Sequence, residues 1–249
     1  MDKKPDLTIK QLINKDEFTY KLKNPLISDI LPDISKRLLF IIYGSKGTSK
    51  TTLLINLLYR FYEGQFAMKY FIAPTIYSDN NLFPARNDPD AILIDKYSDE
   101  AIDEIVKNQT IGDDMTIDDI MFSALILEDA LADGGTSSNN SAIAKLTTVM
   151  RHRFLNIFIV AQTVNQIASV IRSQANIIFL KKIRSTKELD KFESQYASMI
   201  GGEKYFRKMY NYVFSKPENK FDFLYIDLDN FRVYHNFDKL LYENEKENI

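Results

Sequence analysis

Residues 40–61 read FIIYGSKGTSKTTLLINLLYRF, and the way this stretch changes character along its length decides the fold. Leu38 to Tyr43 form a short continuous apolar run, the pattern of a strand covered on both faces in a parallel sheet. Gly44 to Ser49 are small and polar. Leu54, Leu57, Leu58 and Phe61 then recur at helical spacing and give one buried face. A buried strand, a glycine-containing turn and a helix form the setting in which G-x-x-x-x-G-K-[ST] cradles phosphates. Here the match runs Gly44, Ser45, Lys46, Gly47, Thr48, Ser49, Lys50, Thr51, with serine in place of the second glycine.

The chemistry of such a loop needs backbone N–H groups turned inward, an ammonium for the outer phosphates and a hydroxyl for Mg²⁺. Lys50 supplies the ammonium and Thr51 the hydroxyl, and a helix starting at Ser49 or Lys50 adds its positive end. Gly44, Ser45, Lys46, Gly47, Thr48, Ser49, Lys50, Thr51 and Thr52 are therefore the candidate nucleotide contacts, with Lys46 expected to face solvent. Serine at 49 suits a helix start, but a positive φ there would cost about 1 kcal/mol.

Hydrolysis needs acids beside the phosphates. The run SALILED places Glu128 and Asp129 at the C-terminal end of an apolar strand, where ligands gather in an open α/β sheet. By position Glu128 is the metal-side acid, sharing Mg²⁺ with Thr51, and Asp129 the water-activating one; the order reverses the usual one, so the roles are exchangeable. Asp133 is a further candidate. The run NIFIVAQ ends another strand with Gln162, placed to orient water and sense the terminal phosphate.

The remaining apolar runs are Met68 to Pro74, Ala91 to Asp95 and Asn176 to Lys182, and helical patterns cover Asp99 to Lys107, Ser141 to Met150 and Asn165 to Ser173. Strands alternating with helices predict an α/β fold with a mostly parallel sheet. Residues 1–36 are polar and proline-punctuated and are expected to form an N-terminal arm, with 37–186 as the core. Residues 187–249 are expected to complete the same domain with two helices, a β-hairpin around Asp229 and Asn230, and a solvated tail. The segment DGGTSSNNS, 133–141, reads as a loop.

With 249 residues and 45% hydrophobic content the chain can bury a sizeable core. Zero cysteines exclude disulfides and thiolate metal clusters, and two histidines argue against a zinc site. No window approaches a membrane span, the N-terminus lacks the apolar core of a signal peptide, and an interior compartment is expected. A formal charge of −2 excludes a surface basic all over, so a nucleic-acid contact has to be local. Lys181, Lys182, Arg184 and Lys187 form the densest basic stretch and are the DNA-contact candidates.

The order of these motifs resembles the FtsK–HerA superfamily of DNA-pumping ATPases, specifically the genome-packaging ATPases of poxviruses, giant viruses and virophages. The resemblance spans residues 38–182 and is carried by GSKGTSKTT, LILEDA, MRHRFLNIFIVAQT and VIRSQANIIFLKK, with a fainter echo in FLYID and FRVYHNFD. It implies a P-loop NTPase fold, ATP and Mg²⁺ as cofactors, and a homo-oligomeric ring of five or six subunits acting on double-stranded DNA. It also implies a capsid protein at the packaging vertex as partner, and a place in the virion or the host cytoplasm. The family's arginine-histidine pair matches Arg151 and His152, its strand-tip glutamine Gln162, and its arginine and asparagine near the last core strand Arg172 and Asn176. A ring ATPase completes its site with an arginine from the neighbouring subunit; Arg151 is the first candidate, with Arg153 and Arg172 behind it. Glu-Asp in place of the family's paired acids, and Ser49 in place of glycine, put the rate of hydrolysis in question more than binding. Two other readings remain open: a cellular or plasmid-borne DNA translocase, and a nucleotide-dependent assembly switch with weak hydrolysis. A small-molecule kinase is disfavoured by the lack of an arginine-rich lid.

Overall fold

The computed structural model describes residues 8–9, 30–109, 122–129, 137–215 and 219–244. Among these residues nine strands form one sheet. In chain order they are β1 (Leu39–Tyr43), β2 (Met68–Ile72), β3 (Ala91–Ile94), β4 (Ser123–Glu128), β5 (Leu155–Ala161), β6 (Ile177–Leu180), β7 (Leu224–Asp227), β8 (Arg232–His235) and β9 (Lys239–Glu243). Their order across the sheet is β3-β2-β4-β5-β1-β6-β7-β8-β9. The first six are parallel, and β7 to β9 extend the sheet antiparallel beyond β6.

β1 is the hub. It pairs with β5 on one side (Tyr43 opposite Ala161) and with β6 on the other (Tyr43 opposite Leu180). All five of its residues are buried, as expected of a strand covered on both faces. Leu39, Ile41 and Tyr43 point into one core and Phe40 and Ile42 into the other. The second core carries a row of rings across three strands: Phe40 stacks on Phe158 with centroids 4.3 Å apart, and Phe179 lies parallel to it at 6.4 Å.

Two buried asparagines fix where β1 begins. Asn156 in β5 accepts from the Leu38 N–H at 2.8 Å and donates to the Ile34 carbonyl at 3.1 Å. Asn176, just before β6, accepts from the Leu39 N–H at 2.9 Å and donates to both Asp229 oxygens, at 3.0 and 3.1 Å. Each satisfies backbone groups at the strand entrance, where an unmade bond would be costly.

The helices are α1 (Lys50–Asn56), α2 (Phe83–Arg86), α3 (Asp99–Asn108), α4 (Ala142–Val149), α5 (Ser169–Arg172), α6 (Thr186–Tyr196) and α7 (Glu203–Phe214). α1 lies against the face carrying Phe40 and runs on into a π turn, Leu57–Phe61, closed by the Tyr62 N–H on the Leu57 carbonyl at 2.8 Å. α3 to α7 supply the other core, including Ile102, Leu146, Ile171, Phe192 and Phe206. Ser98, Ser141 and Ser185 cap α3, α4 and α6, each accepting from an N–H in the first turn.

Three expectations need correction. The predicted helix over Asn165 to Ser173 is two short pieces, a 3-10 turn at Val164–Gln166 and the single-turn α5. The expected hairpin is present as β7 and β8, but a third strand, β9, follows and takes in the first two residues, Tyr242 and Glu243, of the expected tail. Its side chains alternate weakly because it is the open sheet edge, which blurs the period-2 signal. Of the expected arm, residues 30–36 are less detached than an arm, because Leu31 and Ile34 are buried beside Phe61 and Tyr62. Of the loop 133–141, residues 133–136, and with them Asp133, lie outside the described residues.

The asparagine contact yields a stability test. Asn156→Ala leaves the buried Leu38 N–H unpartnered, so it is expected to lower unfolding free energy by about 2 kcal/mol in urea denaturation, whereas a loss under about 0.5 kcal/mol would discount the contact.

Candidate nucleotide-binding site

The loop leaves β1 at its C-terminal end, in the cleft between β5 and β6, the ligand position of an open α/β sheet. Its first residue has little space. A Cβ on Gly44 would stand 2.5 Å from the Lys181 Cβ and 2.8 Å from the Thr48 hydroxyl, so only glycine fits. Gly44 and Ser45 are held from both flanks: the Gly44 N–H donates to Ala161 at 3.2 Å and the Ser45 N–H to Lys182 at 3.1 Å. The Ser45 carbonyl in turn accepts from the Thr48 hydroxyl at 2.8 Å and from the Lys50 amine at 3.1 Å. Lys46 and Gly47 are exposed, Thr48 and Lys50 buried.

Ser49 occupies the N-cap of α1 with φ 61° and ψ 38°. The left-handed backbone that glycine ordinarily supplies is therefore retained with a side chain present, and its hydroxyl makes no capping bond.

Thr51 projects from the first turn of α1 and its hydroxyl donates to Glu128 Oε1 at the tip of β4. Glu128 is 2% exposed, and its Oε2 has no hydrogen-bond partner. Burial pushes this carboxyl up to about 8; the Thr51 hydrogen bond opposes that, while the charges of Asp129 and Asp79 add to it. Lys50 is shifted the other way: burial lowers its amine, against the pull of Asp129 and Glu128. Asp129 follows in a left-handed conformation, φ 48°, and Gln162 Nε2 donates to its Oδ1 at 3.5 Å. Gln162 is itself fixed by Gln166, whose Oε1 accepts from the Gln162 N–H at 2.7 Å and the Thr163 N–H at 2.9 Å.

Loop, strand-tip acids and glutamine are thus brought together. Among the described residues no cluster of three or more His, Cys, Asp or Glu forms a metal site. Thr51 and the open oxygen of Glu128 nonetheless fit Mg²⁺, which takes one or two protein ligands and fills its shell with phosphate and water.

The basic and arginine candidates divide. Lys181 is 1% exposed, its amine has no hydrogen-bond partner, and burial lowers it to about 7, so it is not a surface contact for DNA. Lys182 is half-buried, and Arg184 and Lys187 are exposed. Arg172 is occupied within its own chain, donating to the carbonyls of Val164 and Ile167 and, at 3.3 Å, to Gln195; it pins the segment after Gln162 and is not extended towards a neighbour. Arg151 and Arg153 lie in the 3-10 turn Met150–Arg153, before β5, while Gln162 follows β5. Seven strand residues separate them, roughly 20 Å, so they lie at the N-terminal end of the strands, the end opposite their own loop. The side chain of Arg151 lies outside the described residues; His152 is exposed.

Sequence reasoning missed Gln166 and Asp79, and also Asn219, Lys220 and Asp222, which line a recess beside Gly47 and Thr48. Gln166 was detectable, since Thr163-x-x-Gln166 is a helix-start pattern. Asp79 and Asp222 carry no local signal.

Strand order, loop and acids define an α/β P-loop NTPase fold. Solved structures with this fold include B204, the DNA-packaging ATPase from Sulfolobus turreted icosahedral virus, with TM-score 0.59 and 14% identity over 81% of this chain and 98% of that one. The genome-packaging NTPase B204 from Sulfolobus turreted icosahedral virus 2 in complex with AMPPCP gives 0.58 and 14% identity, over 81% of this chain and 97% of that one. The same protein in complex with ATP-gammaS gives 0.56, with the same identity and coverage. No protein-family model and no curated protein sequence matches the chain.

Two outcomes are expected from this geometry. Ser49→Gly removes the side chain from a left-handed position and should stabilise the fold by about 1 kcal/mol in chemical denaturation; a loss of stability would mean that the serine side chain contributes an interaction of its own. Glu128 keeps its proton in the folded state up to about pH 8, while the unfolded carboxyl releases it near 4.5. Its contribution to stability therefore falls as pH rises through that window. In metal-free protein, Glu128→Gln should show a smaller drop in Tm from about pH 5 to about pH 8 than the wild type, and identical drops would refute the shift.

Proposed function

We propose that the chain is a nucleoside-triphosphate-driven motor that translocates double-stranded DNA into a preformed capsid, working as a homo-oligomeric ring of five or six subunits. The observation that carries this reading is the Thr51–Glu128 contact, which joins the phosphate loop to the tip of β4 in a fold shared with genome-packaging NTPases. The fuel is a nucleoside triphosphate, ATP on the sequence resemblance.

In this reading the inward N–H groups of residues 46–51 hold the inner phosphates and Lys50 exchanges the Ser45 carbonyl for the outer ones. Thr51 and Glu128 would hold Mg²⁺, which when bound would supply charge neutralisation at the outer phosphates. Asp129 takes the proton of the attacking water, and Gln162, beside it and braced by Gln166, orients that water. Arg151 or Arg153 reaches the site of the next subunit, since each lies at the N-terminal end of the strands, away from its own loop. Arg184 and Lys187 are exposed and grip DNA phosphates without reading bases. The capsid partner and a place in the virion or viral factory belong to the same reading. Among the described residues no helix is long and apolar enough to cross a membrane.

A switch that binds nucleotide and hydrolyses it slowly is the second reading, favoured by the left-handed Ser49 and by the burial that raises the Glu128 carboxyl.

Turnover measured with and without duplex DNA separates the two. A motor is expected to hydrolyse ATP faster when DNA is added, and a rate indifferent to DNA supports the switch. Asp129→Asn should bind nucleotide normally while turnover drops by about 100-fold or more; retained turnover would remove Asp129 from its role.

A further inference from the structure

The acids and glutamine of the site come from β4 and β5, on one side of β1. On the other side the loop is joined to the segment that leaves β6. β1 and β6 pair in parallel up to Tyr43 and Leu180, and the ladder runs on past both strand ends. The Lys181 N–H donates to the Tyr43 carbonyl at 2.7 Å and the Ser45 N–H to the Lys182 carbonyl at 3.1 Å. There the backbone ladder stops and a side chain continues it: the Ser45 hydroxyl accepts from the Arg184 N–H at 2.9 Å. Ser185 then caps α6, its hydroxyl accepting from the Glu188 N–H at 3.4 Å. The exposed Arg184 and Lys187 are therefore carried on a helix start that follows directly from a contact with the loop.

Ser45 stands between two sets of partners. Its N–H and hydroxyl are committed to residues 182 and 184. Its carbonyl is committed to the loop itself, accepting from the Thr48 hydroxyl at 2.8 Å and the Lys50 amine at 3.1 Å. Of these four partners the Lys50 amine is the one for which a phosphate competes, since a lysine makes its stronger hydrogen bonds to an ionised acceptor. When Lys50 turns to phosphate, the Ser45 carbonyl keeps only the Thr48 hydroxyl of its two donors. On the far side, Ile183 is held by α7: its N–H donates to the Tyr210 hydroxyl at 2.8 Å and its carbonyl accepts from the same hydroxyl at 2.9 Å. A change at Ser45 is thus expressed at Arg184 and the helix start beyond it, and does not spread back towards β6.

Resting on the reading of a phosphate loop and of Arg184 and Lys187 as DNA contacts, we propose that Ser45 is the positioning residue that links the two. Its hydroxyl sets the placement of the segment 184–187 according to whether Lys50 holds the Ser45 carbonyl or a phosphate. Nucleotide then alters the grip on duplex DNA, and duplex DNA alters the grip on nucleotide by the same factor.

That factor is measurable as a ratio of two dissociation constants. A fluorescently labelled duplex is titrated with the full chain at fixed salt, without nucleotide and with AMPPCP and Mg²⁺ at a concentration that calorimetry shows to be saturating for each variant. In the wild type the two constants are expected to differ by about fivefold or more. Ser45→Ala removes the acceptor and should bring the ratio to within about twofold of one, and Ser45→Thr, which keeps a hydroxyl, should restore it. Loss of folded protein scales both constants alike, so it cannot produce this pattern. Arg184 supplies a second comparison from the other partner. Arg184→Ala keeps the donated N–H and should weaken DNA binding with the ratio preserved, whereas Arg184→Pro also removes the donor and should lose the ratio. A wild-type ratio near one, or a ratio that survives Ser45→Ala or Arg184→Pro, overturns the proposal and leaves the loop and the DNA contacts standing. Failure of the wild type to bind AMPPCP or duplex at all overturns the underlying reading as well.

Discussion

β1 is paired along both edges and covered on both faces, and everything functional in the molecule follows from that confinement. A chain leaving such a strand has one exit, the cleft between β5 and β6, and at Gly44 it passes between Lys181 and Thr48 with no space for a side chain. The entrance is equally fixed, because Asn156 and Asn176 hold the first backbone groups of β1 from its two neighbours. With both ends set, the loop that follows presents the same atoms to the same side of the sheet. Thr51 then meets Glu128 across β5, the strand that separates β1 from β4.

The electrostatics of this cleft oppose one another. Burial lowers Lys50 and raises Glu128, pushing an amine and a carboxyl towards their neutral forms within one site. A polyanion with its cation reverses both pressures: phosphate favours the ammonium, and a divalent ion favours the carboxylate. In the proposed function, desolvation that is unfavourable in the free chain would become differential affinity for a triphosphate accompanied by metal. The left-handed Ser49 and Asp129 hold the loop and the strand tip in position at some backbone cost, a pattern common where geometry serves a ligand.

Much of this was legible in the sequence because it is written in adjacent residues. The apolar run before Gly44, the spacing to Lys50 and Thr51, and the acids and glutamine closing their strands are local patterns, and each element formed where its pattern lay. The helix expected after Gln162 broke because Gln166 turned back to cap the Gln162 and Thr163 N–H groups and Arg172 anchored the carbonyls of Val164 and Ile167. β9 escaped notice because an edge strand does not have to alternate. The basic stretch was misleading for a related reason: charge density along the chain says nothing of direction. Lys181 sits one residue past β6, in step with Ile177 and Phe179, whose side chains enter the core that also holds Phe223, and its amine lies over the Phe223 ring.

By itself the sequence determined the strand, the turn and the helix that hold the phosphate loop, and the residue types the loop and strand tips present, since hydrophobic period and small-residue turns act over a few positions. Only the tertiary structure decided which groups share a cavity. Residues 51 and 128 meet because strand order brings them together, and burial in the packed chain raises the Glu128 carboxyl and lowers the Lys181 amine. Proximity across a sheet is a property of the packed chain, and no local pattern of residues encodes it.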